Sequence, residues 1–430
     1  MDTVLNGYTI SMIIVFIIGY AFITLEHITR INKTTIALLM AIICWILQFA
    51  NHQMHVTHQE NLNFLSSHVA NISQVIFFLL GALSVVELIN VHHGFNAISD
   101  FINVHSKVKL LWVLGIVTFF LSAILDNLTT TIVMISLIQK LIKDREDRWI
   151  FGGGVVIAAN AGGAWTPIGD VTTTMLWIGG ELTSGAIITN LFLPSLVCFA
   201  ASFLILSTYL KGDIPYDKKE LENRPKAEPM ANLVFFLGLA ALVFVPIFKM
   251  LTGLPPFMGI LFGLGILWLV TDIIHSNEDR EHLRMPHVLT KIDLSGVLFF
   301  FGILLCINAL EVAQLLEGLA HWLDRYIGNT SLIAIMIGLA SAVVDNVPLV
   351  AASMGMYNLE QYPQDSSFWQ LIAYCAGTGG SILIIGSAAG VVFMGLEKVD
   401  FFWYLKKISL AAFVGYFSGI GVYKLVSLLT

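Results

Sequence analysis

Apolar runs near or above the roughly 20 residues that carry an α-helix across a bilayer recur ten times in this chain. They cover about 7–25, 34–50, 72–90, 150–178, 186–210, 231–251, 256–274, 293–311, 368–396 and 402–428. Hydrocarbon offers backbone amides no water, so runs of this length fold as helices that satisfy themselves. Composition agrees: 57% of the 430 residues are hydrophobic and 12% charged, against about 45–50% and about 25% in soluble domains. The fold class is an all-α polytopic membrane protein, with membrane lipids as its first partners. A net charge of −7 gives no reason to expect a nucleic-acid partner. Cys44, Cys198, Cys306 and Cys375 all sit inside apolar runs with no CxxC pair, so they read as packing residues and not as a disulfide framework or metal site. The first run follows Asp2 instead of a basic region and reads as a retained helix, not a signal peptide.

Two further apolar stretches, 109–142 and 330–356, are interrupted near the middle by Asp-Asn. Each is either two short crossings or a hairpin that enters and returns, and both options end on the side where they began. With the N- and C-termini outside, ten crossings put 19 of the 22 lysines and arginines on the inner side and leave Lys249, Arg325 and Lys424 outside. That asymmetry is what the positive-inside rule asks of a correct count.

The chain also repeats itself. FFLLGALSVVELIN (77–90) resembles FFFGILLCINALEV (299–312), and NAGGAWTPIGD (160–170) answers GTGGSILIIGS (377–387). Two units, 1–210 and 231–430, share one plan across a polar cytoplasmic linker at 211–230. Each holds five crossings and one interrupted stretch, and an odd number of crossings turns the second unit upside down. Inverted repeats whose broken helices meet at the midplane are the architecture of secondary transporters. The expectation is about ten transmembrane helices, two of them broken (150–178 and 368–396), with 109–142 and 330–356 each a hairpin or a pair of short crossings.

The interruptions carry the chemistry. A helix that stops inside the membrane leaves amides and carbonyls unpartnered, which is tolerable only against protein or water. Asp126 and Asp345 are good N-caps for the half-helices that follow. A neutral Asn or Ser would cap as well, however, and intramembrane carboxylates mark function because their burial is costly. Carboxylate, amide and hydroxyl oxygens together suit a small hard cation. The candidate cation- and proton-binding set is Asp126, Asn127, Thr129, Asn160, Asp170, Thr172, Thr173, Asp345 and Asn346, with Ser122, Ser341, Ser381 and Ser387. Gly162, Gly163, Pro167 and Gly169 break the helix beside Asp170, as Gly379 and Gly380 do beside Ser387. Asp170 thus matches a serine, and the two units carry unequal charge. Glu87, Glu311, His68 and His93 are candidates for a proton path or for pH sensing. The histidine-rich segment NHQMHVTHQENLNFLSSH (51–68) reads as a solvated outer loop.

Four stretches now carry a resemblance. LSAILDNLTTTIVM, AANAGGAWTPIGDVTTTMLW, SAVVDNVPLVAASMGMY and CAGTGGSILIIGSAAGVVFMG resemble the signature segments of NhaD-type sodium/proton antiporters, within the ion transporter superfamily that also holds citrate and dicarboxylate carriers. The likeness covers about 72–210 and 293–428. It implies two re-entrant hairpins (109–142 and 330–356) with tips at Asp126-Asn127 and Asp345-Asn346 that hold Na⁺, unwound helices at 160–170 and 377–387, and a homodimer with elevator-like motion in the bacterial cytoplasmic (inner) membrane. It also implies no enzymatic activity, no cofactor, and Na⁺, Li⁺ and H⁺ as substrates.

Charge separates the rivals. Carboxylate carriers of the superfamily have Ser-Asn-Thr at the tips, and here Asp stands in the Ser position of both. Two added negative charges repel an anion and attract a cation, and no intramembrane lysine or arginine is expected to compensate. Buried, mutually repelling carboxyls hold protons more tightly, so Na⁺ and H⁺ compete for Asp126, Asp170 and Asp345 around neutral to alkaline pH. An empty, highly charged site cannot cross, which makes exchange obligatory. The alternatives are a sodium-coupled carboxylate or arsenite-type transporter and a cation channel. An intramembrane aspartyl protease would need YD and GxGD contexts, which these aspartates lack.

Overall fold

The computed structural model describes residues 6–24, 26–51, 57–95, 106–213, 228, 230–275 and 280–429. His52, His55 and most of the 211–230 linker lie outside them. The described residues form helices and no strand. Those of seven residues or more are, in chain order, α1 (Gly7–Thr24), α2 (Lys33–Ala50), α3 (His58–Val91), α4 (Lys107–Leu125), α5 (Asn127–Leu141), α6 (Arg145–Gly163), α7 (Val171–Gly179), α8 (Ser184–Ser207) and α9 (Ala231–Thr252). There follow α10 (Pro256–Ile274), α11 (Leu294–Val312), α12 (Leu315–Tyr326), α13 (Thr330–Ala340), α14 (Asn346–Met356), α15 (Ser367–Gly379), α16 (Ala388–Glu397), α17 (Phe401–Lys407) and α18 (Ser409–Leu429). Nine described helices are long and apolar enough to cross a membrane: α1 to α4, α8 to α11, and α18. Eight of these are expected crossings, α4 belongs to the first interrupted stretch, and the remaining two expected crossings are the broken ones, α6 with α7 and α15 with α16. The molecule is a multi-pass, all-α membrane protein.

Two differences from the sequence reading have clear causes. From Thr57 onward, the segment read as an outer loop (51–68) is the cap and first turns of α3. It starts early because Thr57 and Glu60 form a capping box, each side chain satisfying an amide of the other's residue. The two interrupted stretches also differ in shape. The first breaks at the single residue Asp126, whose φ of 82° and ψ of 159° lie outside helical space. The second breaks over a turn at 341–345. Both return to the level at which they start: Lys107 pairs with Asp147, Arg148 donates to the carbonyls of Ile142 and Lys143, and Tyr357 donates to Asp324. They are hairpins, and α4 is long enough by itself to span.

Packing divides the helices into two bundles. α1, α2, α3, α9, α10 and α11 pack among themselves, chiefly α2 on α11, α1 on α2, and α3 on α10. The hairpins, the broken helices and α8 with α18 form the second bundle, where α4 packs on α6, α13 on α15, and α8 on α18. Across the seam, α14 meets α11, α7 meets α3 and α4 meets α9. Inside the second bundle the same backbone approach occurs twice. A Cβ on Gly162 would lie 2.2 Å from the Phe119 carbonyl, and one on Gly379 would lie 2.0 Å from that of Gly338. Ser122 donates to the Ala159 carbonyl and Ser341 to that of Ala376. Each hairpin is thereby held against its broken helix by close backbone approach and one serine strut.

Candidate cation site

Asp126 follows α4 and caps α5. Its Oδ1 accepts from the Thr129 amide at 2.8 Å and its Oδ2 from the Thr129 hydroxyl at 2.9 Å. Asp345 caps α14 through the Val347 amide at 3.3 Å. Asp170 caps α7, accepting at Oδ1 from the amide and hydroxyl of Thr172 at 2.9 and 2.8 Å. Its Oδ2 accepts from Asn127 at 2.7 Å and from Asn346 at 3.4 Å. One oxygen of the broken helix therefore receives an amide from each hairpin tip. Four donors and no acceptor around one carboxyl suit the ionised form, which has about four lone-pair sites to offer.

All three aspartates, with Asn127, Asn346 and Asp293, line one cavity between the tips, α3 and α11. Asp126 and Asp345 keep lone pairs that their caps do not use, and both residues line the cavity together with Asp170. Asn160 sits behind the lining. Its Oδ1 accepts from Asn127, and its Nδ2 donates to Ser381 and Ser387, both at 2.9 Å. That chain ties the first tip to the second broken helix. Thr173 donates to the backbone carbonyl of Asp170, not to its carboxylate. Ser122 and Ser341, as struts between helices, are not among the residues lining the cavity.

The break beside Asp170 is held by aromatic packing. Trp165 stacks on Phe119 with ring centroids 5.9 Å apart and meets Phe192 edge-on at 4.9 Å. Thr166 donates to the carbonyl of Ala123 at 2.6 Å, satisfying a group freed where α4 ends.

Glu311 and His68 lie apart from the aspartates, in a second cavity with Asn308, Met354 and Glu181. Glu181 escaped the sequence reading. Its side chain is 8% exposed, and its Oε2 has no hydrogen-bond partner. Burial raises its carboxyl to about 7. The signal was a lone acidic residue directly after a broken helix. Glu87 and His93 lie at the C-terminal end of α3 and line neither cavity; Glu87 accepts from Asn90. The buried histidine there is His92, whose Nε2 lies 3.1 Å from that of His275, and burial lowers its pKa.

The expectation that no basic group compensates the tips fails at one of them. Lys33 Nζ lies 3.8 Å from Asp345 Oδ2. As the first residue of α2, Lys33 entered the sequence reading only as an inner-side charge, and its reach depends on how α2 packs against α11.

Helices broken around a shared acidic cavity, in a bundle loosely joined to a second one, define a secondary transporter and not an enzyme. A family model described as a citrate transporter matches residues 13–377. Sodium/proton antiporter 1 of Arabidopsis thaliana is 54% identical over 96% of this chain and 72% of its own length. Sodium/proton antiporter 2 of the same plant is 50% identical over 96% of the chain and 98% of its length. The Na⁺/H⁺ antiporter NhaD of Vibrio cholerae is 29% identical over 93% of the chain and 88% of its length. The chain belongs to the NhaD-type sodium/proton antiporter family, within the broader group of the citrate-transporter model.

Proposed function

We propose that this protein is a Na⁺/H⁺ antiporter that also accepts Li⁺, exporting the cation from the inner side as protons enter. The observation that carries the reading is the shared oxygen of Asp170, which accepts from Asn127 at one tip and Asn346 at the other. A cation entering the cavity takes oxygens from Asp126 and Asp345 beside that anchor, with Asn127, Asn346 and the Thr129 hydroxyl near at hand. Oxygen donors without sulfur or imidazole suit a hard monovalent ion. The loaded site and the protonated site each carry less net charge than the empty one. The empty site holds three carboxylates with Lys33 beside one of them, and passage of that charge through hydrocarbon is costly. Two carriers cross and the third state does not, so the two fluxes are coupled.

In this reading residues 1–210 and 231–430 form the inverted pair, and the bundle of hairpins and broken helices alternates the cavity between faces against the other bundle. Glu181, Glu311 and His68 lie on the route to the outer face. The basic loops lie inside and both termini outside, in a bacterial cytoplasmic membrane or its counterpart, with two copies forming a homodimer. The recurrence of the Gly162 and Gly379 contacts supports the pairing.

The test is proton movement in proteoliposomes on addition of Na⁺, Li⁺, K⁺ or citrate. Na⁺ and Li⁺ should move protons, and Asp126→Asn and Asp345→Asn should each abolish the movement. Normal exchange by either variant overturns the assignment of the site. Citrate-driven uptake would favour a carboxylate carrier, and flux indifferent to an opposing proton gradient would favour a channel.

A further inference from the structure

The two tips share a sequence but not an electrostatic setting. Asp126 leans on Thr129 alone among side chains. Asp345 also faces the Lys33 ammonium at 3.8 Å, with side-chain exposures of 16% and 27%. Lys33 is fixed from two directions. Its Nζ lies 4.5 Å from the centre of the Phe299 ring, a cation–π distance, and its backbone amide donates to Glu26 at 3.1 Å. Lys33, Asp345, Glu26 and Lys398 line a third cavity, which Asp126 does not line. It lies on the basic, inner side of the molecule, so a cation coming from within meets Asp345 with a positive group already beside it.

We infer that Lys33 is a tethered competitor for the transported cation at Asp345, a specificity-determining residue that Na⁺ must displace from the second tip to load the site. This rests on the antiporter reading above. An ammonium neutralises the carboxylate much as Na⁺ does but cannot leave with it. It therefore raises the Na⁺ concentration needed for loading and keeps Asp345 from standing bare between cycles. The Glu26 carboxylate in the same cavity gives the displaced ammonium a second anion to face. Asp126 has no such competitor, so the tips load unequally, the first freely and the second by exchange of one cation for another.

The experiment is the Na⁺ dependence of exchange at fixed pH in proteoliposomes. Lys33→Gln should lower the KM for Na⁺ by roughly twofold to fivefold, the span expected of a partly exposed ion pair. Lys33→Arg should stay near wild type, and Lys398→Gln, which removes a charge from the same cavity, should leave KM unchanged. A KM that is unchanged or raised in Lys33→Gln overturns the inference, as does an equal fall in Lys398→Gln. If Lys33→Gln fails to fold, the wild-type protein still decides. Saturating Na⁺, compared with K⁺, should speed amine-reagent labelling of Lys33 and not of Lys398, read by mass spectrometry, and no acceleration overturns the inference. Wild-type protein that shows no Na⁺/H⁺ exchange would sink the antiporter reading instead, so the two failures are distinguishable.

Discussion

At the scale of single residues, the carboxylates differ in how fully they are already occupied. Asp170 accepts four donors and reads as an anchor, whereas Asp126 and Asp345 retain oxygen lone pairs and read as ligands. Glu181 is a different case, since no donor reaches its Oε2. Burial lifts its carboxyl from 4.5 to about 7, so the folded state favours the proton more than the unfolded chain does. Its contribution to stability is then complete below about 4.5 and is lost as pH rises through about 7. Glu181→Gln should remove that loss. Melting temperature measured from pH 4.5 to 8 should fall less steeply in the variant, and the outer-pH dependence of exchange should lose an inflection near 7. Parallel wild-type and variant curves would show that Glu181 does not titrate in this range.

At the scale of elements, the tips hold their place because backbone meets backbone. Gly379 lies so close to Gly338 that Gly379→Ala would put its methyl 2.0 Å from a carbonyl oxygen, with Ser341 Oγ at 2.7 Å. Overpacking of this kind costs about 1–3 kcal/mol. A lowered melting temperature in Gly379→Ala, and none in Gly395→Ala, where a Cβ meets open space, would show that the close approach matters. The breaks were legible in the sequence because their causes are local: Asp-Asn inside an apolar run, and glycine with proline in the next segment. The unequal shapes of the hairpins were not legible. Matched Asp-Asn pairs do not show that Asp126 turns the chain alone while 341–345 does so over five residues. The long start of α3 was written in Thr57 and Glu60, but the polar residues around them mask helical periodicity. Lys33 was counted for its charge and not for its reach, because only tertiary packing brings α2 beside the second tip.

At the scale of the molecule, the division into two bundles makes one cross-link informative. Cys44 and Cys306 lie with their sulfurs 3.7 Å apart between α2 and α11, both within the bundle proposed to stay still. Joining them with a membrane-permeant oxidant should leave exchange running at close to its normal rate, as measured before and after reduction. A block relieved by reduction would mean that α2 and α11 slide past each other during transport, and the boundary between moving and static parts would have to be redrawn.

The 34 residues of α3 make a rod about 50 Å long at 1.5 Å per residue, and the hydrocarbon it crosses is about 30 Å thick. Some 20 Å therefore lies outside the hydrocarbon, chiefly at the end whose residues are mostly exposed. That projecting stalk offers a binder or an epitope tag a rigid foothold away from the cavity, and it would show which way up the protein sits in an intact cell.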